Sequence, residues 1–168
     1  IHEHRLGEDY MPEGSIVFCL TNLAAEGLGD KMQAHLRDRV IDVTMRNPTE
    51  PEWREDFAVP HELHAYVIAC AREYPQIFES FTDYEPGGAK AGQDLARNNP
   101  FIYNPRAEQD KWVTPRSLHA VSDILHRGGG LDNETITAAL EGTVGKAYTA
   151  LQMAYVRFGQ SLPAHGAI

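Results

Sequence analysis

The spacing of apolar residues changes once along this chain, near residue 47. Before that point, Ser15-Ile16-Val17-Phe18-Cys19-Leu20 and Val40-Ile41-Asp42-Val43-Thr44-Met45 are short apolar runs rich in β-branched residues. Such runs are the pattern of strands buried on both faces of a parallel sheet. Between them, Asp30 to Asp38 sets Met32 and Leu36 among good helix formers and predicts one short helix. Strand, helix, strand is the order of a partial α/β unit. Gly7 to Gly14 is turn-rich, and Ile1 to Leu6 reads like the tail of a helix, so the chain is expected to be a fragment.

Asn47-Pro48-Thr49-Glu50-Pro51 breaks both patterns and sets the expected boundary between residues 1–47 and 48–168. After it the apolar period becomes helical. Trp53 and Phe57 lie four apart, and Leu63, Tyr66, Val67 and Cys70 follow at spacings of three and four before Tyr74-Pro75 interrupts, which predicts two helices. Thr82 to Lys111 is polar and rich in Gly, Pro and Asn, and predicts a long surface loop. Thr114-Pro115 is an N-cap followed by a first-turn proline, and Leu118, Val121 and Leu125 share one face until Gly128-Gly129-Gly130. A short helix capped by Asp132 or Asn133 runs through Leu140, with Gly142 as its stop. The stripe Val144, Tyr148, Leu151, Tyr155 and Phe158 completes a small helical bundle. The fold class expected is therefore mainly α, a helical bundle preceded by an α/β segment with two short parallel strands.

Composition narrows the partners. An apolar share of 42% with 23% charged residues is that of a folded globular chain. A formal charge of -9 argues against nucleic acid as the main partner, because phosphate binding draws on an excess of Lys and Arg. Cys19 and Cys70 sit in apolar surroundings, which predicts free buried thiols and a reducing compartment. No apolar run reaches the roughly 20 residues that span a bilayer. A cytoplasmic location without membrane partners is the expectation.

The candidate chemistry is sparse. Asn22 follows the first apolar run, at the strand end where open α/β sheets bind ligands; asparagine in that place more commonly opens a turn. Arg37 and Arg39 flank Asp38 at the junction of the predicted helix and the second strand, where guanidinium groups could reach a phosphate or simply pair with Asp38 or Asp42. Arg116 stands in the first turn of its helix, where backbone N–H groups also favour anions; an exposed first-turn arginine is the plainer reading. His61-Glu62-Leu63-His64 has its histidines three apart, whereas the zinc-protease motif needs four, so no metal is expected. Gly142-Thr143-Val144-Gly145-Lys146-Ala147 has glycines too close for a phosphate-binding loop and no Ser or Thr after the lysine, and reads as helix. His2 and His4 around Glu3 read as a solvated helix end.

Taken in order, several pieces resemble one family. Met11-Pro12-Glu13-Gly14 with Ile16 to Asn22 resembles the sensor-1 strand of MoxR-like, dynein-related AAA+ ATPases, and Leu36-Arg37-Asp38-Arg39-Val40 is similar to their arginine-finger segment. Glu52-Trp53 with Phe57-Ala58 resembles the first lid helix of phage and bacterial members. Thr114-Pro115-Arg116-Ser117 with Val121-Ser122 and Ile124-Leu125 resembles their sensor-2 helix, and Gly142-Thr143-Val144-Gly145 their closing helix. Val40 stands where the family more often has Phe, and no GxxxxGK[ST] or acidic Walker B strand occurs in the chain.

The resemblance implies that Asn22 is the sensor-1 residue, Arg39 the arginine finger with Arg37 second, and Arg116 sensor 2. It implies a parent ATPase that binds ATP and Mg²⁺ through residues upstream of Ile1, so that this chain alone binds no cofactor and is inactive. It further implies a homo-oligomeric ring, by resemblance a hexamer, that remodels a protein substrate or works through an adaptor. The rival expectation is a non-enzymatic helical interaction module whose arginines are surface charge.

Overall fold

The computed structural model describes residues 5–6, 8–16, 18, 20 and 40–161. The chain divides into two compact units, Ile1–Asp42 and Val43–Ile168. In the first, β1 (Arg5–Leu6) pairs antiparallel with β2 (Asp9–Tyr10), with Arg5 opposite Tyr10 and Leu6 opposite Asp9. A turn follows in which Ser15 N donates to Pro12 O at 3.2 Å, with Gly14 at φ +82° in the left-handed region that glycine enters without steric cost.

The expected parallel strands are not seen among the described residues. Ile16, Phe18 and Leu20 are 88%, 78% and 85% exposed, and Ile41, Val43 and Met45 are 93%, 72% and 80% exposed. Residues 41–45 belong to no ladder. A β-branched run becomes a strand only when neighbouring strands pair with it and other layers cover it, and no described segment supplies either. The helix expected over Asp30 to Asp38 lies outside the described residues.

The second unit is mainly helical. Its first helix, α1 (Glu50–Trp53), grows out of the breaker cluster. The Glu52 carboxylate accepts from Thr49 N at 2.8 Å and Thr49 Oγ1 at 2.9 Å, and pairs with Arg46 Nη2 at 2.6 Å. The hydrogen bond from Arg46, then those from Thr49, hold this carboxyl down at about 2. The chain continues as a wider π-helical stretch, Arg54–Ala58, which closes with Val59 N donating to Arg54 O. α2 (Ala65–Glu73) buries Val67, Cys70 and Ala71, positions on one helical face, and stops at Tyr74-Pro75.

Thr82 to Lys111, expected as a loop, is turn and loop for most of its length but carries a small packed core. The 3₁₀ turn Pro75–Phe78 sends Ile77 and Phe78 into the main core, whereas the 3₁₀ turn Phe81–Tyr84 and the short helix α3 (Leu95–Asn98) place Phe81, Tyr84, Leu95 and Ile102 in a second small core beside Tyr103. Polar residues hold it. Glu79 accepts from Tyr84 Oη at 2.7 Å, Lys90 Nζ at 2.5 Å and Asn99 Nδ2 at 3.0 Å, and Asn99, only 1% exposed, also donates to Gln76 O at 2.6 Å. Burial works against the Glu79 charge, but these three donors outweigh it and keep the carboxyl below its ordinary value.

α4 (Pro115–Arg127) and α5 (Asn133–Ser161) complete the bundle. α4 turns Leu118, Val121 and Ser122 inward. α5 is two helices meeting at Gly145, whose φ of 77° and ψ of 164° belong to a region open almost only to glycine. The expected stop at Gly142 thus falls three residues later, because the Lys111 carbonyl crosses beside Gly145, where an added Cβ would lie 3.1 Å from it. The first half buries Ile136, Leu140 and Val144; the second buries Tyr148, Met153 and Val156. Near its end Gly159 faces Tyr66 of α2, where any side chain would collide with the ring. Among the described residues no helix is long and apolar enough to cross a membrane.

Two glycines three residues apart therefore answer oppositely to alanine. Gly145→Ala lowers unfolding stability by about 1–3 kcal/mol through backbone strain. Gly142→Ala, at a helical site with open space around it, raises it by up to about 1 kcal/mol. Denaturant unfolding of both variants checks the pair, and equal effects would contradict the break at Gly145.

Candidate functional site

Of the four residues expected to handle nucleotide, Asn22, Arg37 and Arg39 lie outside the described residues. Arg116 is described. It is exposed, at the second position of the thirteen-residue helix α4, and its guanidinium has no hydrogen bond or ion pair among the described residues. Thr114 and Ser117 close the helix start on themselves: Thr114 Oγ1 accepts from Ser117 N at 3.0 Å, and Ser117 Oγ accepts from Thr114 N at 2.8 Å. Pro115 has no N–H, so the Arg116 amide is the one first-turn donor left open. The side chain, not the backbone, is the anion-seeking element at this terminus.

The histidines of His61-Glu62-Leu63-His64 separate. His61 packs on Phe57 at 4.5 Å between ring centres, and His119 meets the same ring at 5.7 Å. His64 instead faces His126 of α4 at 4.9 Å and Tyr66 at 4.8 Å. Among the described residues no three His, Cys, Asp or Glu side chains gather where a metal could sit. His126 lies 62 residues from His64 and seven before Asn133, where the next helix starts, with no local sequence pattern linking the two.

A cavity of about 370 Å³ opens in the small second lobe, lined among others by Phe81, Tyr84, Asp94, Leu95, Asn104 and Arg106. Its polar groups are committed locally. Arg106 Nη2 pairs with Glu85 at 2.6 Å, Asn104 Oδ1 accepts from Arg106 N at 3.0 Å, and Asp94 caps α3 by accepting from Arg97 N at 3.4 Å. They form no acid–base pair or nucleophile dyad. Arg116 is not among the lining residues.

In the main core, Cys70 is fully buried and burial pushes its thiol up to about 11. The Tyr148 hydroxyl faces that thiol without the geometry of a regular hydrogen bond, and burial likewise raises the phenol. Gln152 Nε2 donates to Tyr66 O at 3.1 Å, while its Oε1 and the Thr149 hydroxyl have no partner among the described residues. Compared with family models, curated proteins and solved structures, the chain matches none.

A thiol held protonated in a closed core reacts only when the core opens. A thiol reagent at neutral pH should therefore modify Cys70 no faster than the core opens, as followed by peptide mass spectrometry. Rapid labelling of Cys70 in the native chain would contradict that placement.

Proposed function

We propose that this chain is the nucleotide-sensing end of a MoxR-like AAA+ ATPase, with residues 48–168 as its helical lid. The observation that carries the reading is Arg116: an exposed guanidinium without a protein partner among the described residues, fixed at the start of a well-capped helix that is itself anchored in the core through Leu118 and Val121. A planar cation on a rigid support suits a terminal phosphate, whose oxygens it can meet in bidentate fashion.

The residues of this chain cannot cradle ATP and Mg²⁺ by themselves, since no phosphate-binding loop occurs in it. Those ligands belong, in this proposal, to an upstream part of a parent protein, where Mg²⁺ neutralises the charge that develops on the phosphates. Arg116 then reads the γ-phosphate and couples it to the lid. Asn22 orients the attacking water. Arg39, with Arg37 behind it, reaches the site of a neighbouring subunit, which requires a head-to-tail ring such as a hexamer. Lid rotation on hydrolysis works on a protein substrate or adaptor in the cytoplasm.

A second reading, a non-enzymatic interaction module, draws on the exposure of Ile16, Phe18, Leu20, Ile41, Val43 and Met45. ATP turnover separates the two. The chain alone should show none that survives repurification. In an assembled ATPase carrying this lid, Arg116→Ala and Arg39→Ala should each lower turnover by about a hundredfold or more. Only Arg39→Ala should recover in mixed rings, where a neighbour supplies the finger. Unchanged turnover in both variants would leave the module.

A further inference from the structure

The turn between the π-helical stretch and α2 is held to α4 by contacts that depend on where two imidazole protons sit. Glu62 occupies the left-handed region at φ +53°, uncommon for a residue with a side chain. Its carbonyl accepts from His126 Nε2 at 3.1 Å, which places a proton on that nitrogen. Two residues on, His64 N donates to Ser122 Oγ at 2.8 Å, and Ser122 is only 2% exposed on α4. The His64 ring then caps α2: its Nδ1 accepts from Tyr66 N at 3.2 Å. That nitrogen must be bare, so the His64 proton resides on Nε2.

We propose that His64 and His126 form an acid-sensitive latch, closed while His64 is neutral, that fastens the 59–64 turn and the first turn of α2 to α4.

Protonating His64 breaks one contact and adds two charge penalties. Nδ1 changes from acceptor to donor and faces the Tyr66 amide, another donor. A positive charge appears at a helix N-terminus, where the aligned backbone dipoles oppose it. The charge also faces the His126 ring 4.9 Å away. The groups around His64 offer no compensation: α4 presents His126, α2 presents Tyr66, and no carboxylate acts on the ring among the described residues. Partial burial, and then His126, lower the His64 pKa from its ordinary 6.5.

The direction of the pH effect follows. The open turn takes up a proton near 6.5 and the closed turn only below it, so the open state binds more protons throughout that window and closure strengthens as pH rises. Above 6.5 the latch is fully closed; it loosens progressively as pH falls. The rest of the core, built from apolar residues on α2, α4 and α5, does not share this dependence. The latch is independent of the nucleotide-sensing reading and would operate in an interaction module equally well.

Amide hydrogen exchange on the full 168-residue chain tests it. Between about pH 7.5 and pH 5, with intrinsic rates corrected, protection at the His64 and Tyr66 amides should fall roughly tenfold or more, while Leu140 and Tyr148 in α5 hold theirs. Nitrogen-detected imidazole spectra at neutral pH should show His64 as the Nε2–H tautomer. His64→Asn keeps a capping acceptor that does not titrate, and should retain neutral-pH protection at Tyr66 while losing the pH step. His126→Gln should shift the midpoint upward towards 6.5, because the facing imidazole is gone. Protection that is flat with pH, a step that survives in His64→Asn, a proton on His64 Nδ1, or simultaneous loss throughout α5 would each overturn the latch.

Discussion

The bundle depends on the crossing of α5 with α2 and α4, and that crossing depends on one backbone conformation. Gly145 lets the last helix change direction between Val144 and Tyr148, both buried. A straight helix of 29 residues would run about 43 Å, longer than a small bundle is wide, and one of its ends would leave the core. With the break, Leu140 and Tyr148 are both fully buried. The Lys111 carbonyl passes close to Gly145, where an added Cβ would lie 3.1 Å from it. At the far end, Gly159 admits the Tyr66 ring and lets α2 approach. Two missing side chains thus set where three helices meet.

How much of this was legible depended on whether the signal was local. α4 was readable to within a residue because Thr114-Pro115 and Gly128 are chemical start and stop signals acting on their own neighbours. Gly142 and Gly145 carry equal local signals, and what distinguishes the second is tertiary: the Lys111 carbonyl passes beside it. The 82–111 segment is turn and loop for most of its length, as its composition suggests, but its packing was not legible for a related reason. Its polar composition suggests a solvated loop, yet Glu79, Lys90, Tyr84 and Asn99 satisfy one another across gaps of up to 20 residues, and a hydrogen-bond network of that kind leaves no periodic trace. The runs at 15–20 and 40–45 show the converse. Their β-branched composition is a preference for being covered, and a preference does not create the covering layer.

The candidate site divides in the same way. Arg116 was legible because its place follows from the helix start, and the structure adds that Thr114 and Ser117 consume the backbone donors beside it. Binding of an anion there would rest on a flexible guanidinium rather than a fixed amide nest, so specificity for a phosphate must come from what faces Arg116. The pairing of His64 with His126 was illegible, since it joins a turn to the far end of another helix. Its only sequence trace was a pair of histidines with the wrong spacing for a metal.

α4 carries both features. Arg116 and His126 are ten residues apart on one helix, about 15 Å along its axis, and the turns between them are anchored by Leu118, Val121 and the buried hydroxyl of Ser122. A helix packed on that face moves as a rod and does not flex locally, because close-packed interiors resist small continuous deformations. One well-anchored element thus carries an exposed cation near its N-terminus and, in the latch proposed above, a proton-dependent fastening near its C-terminus.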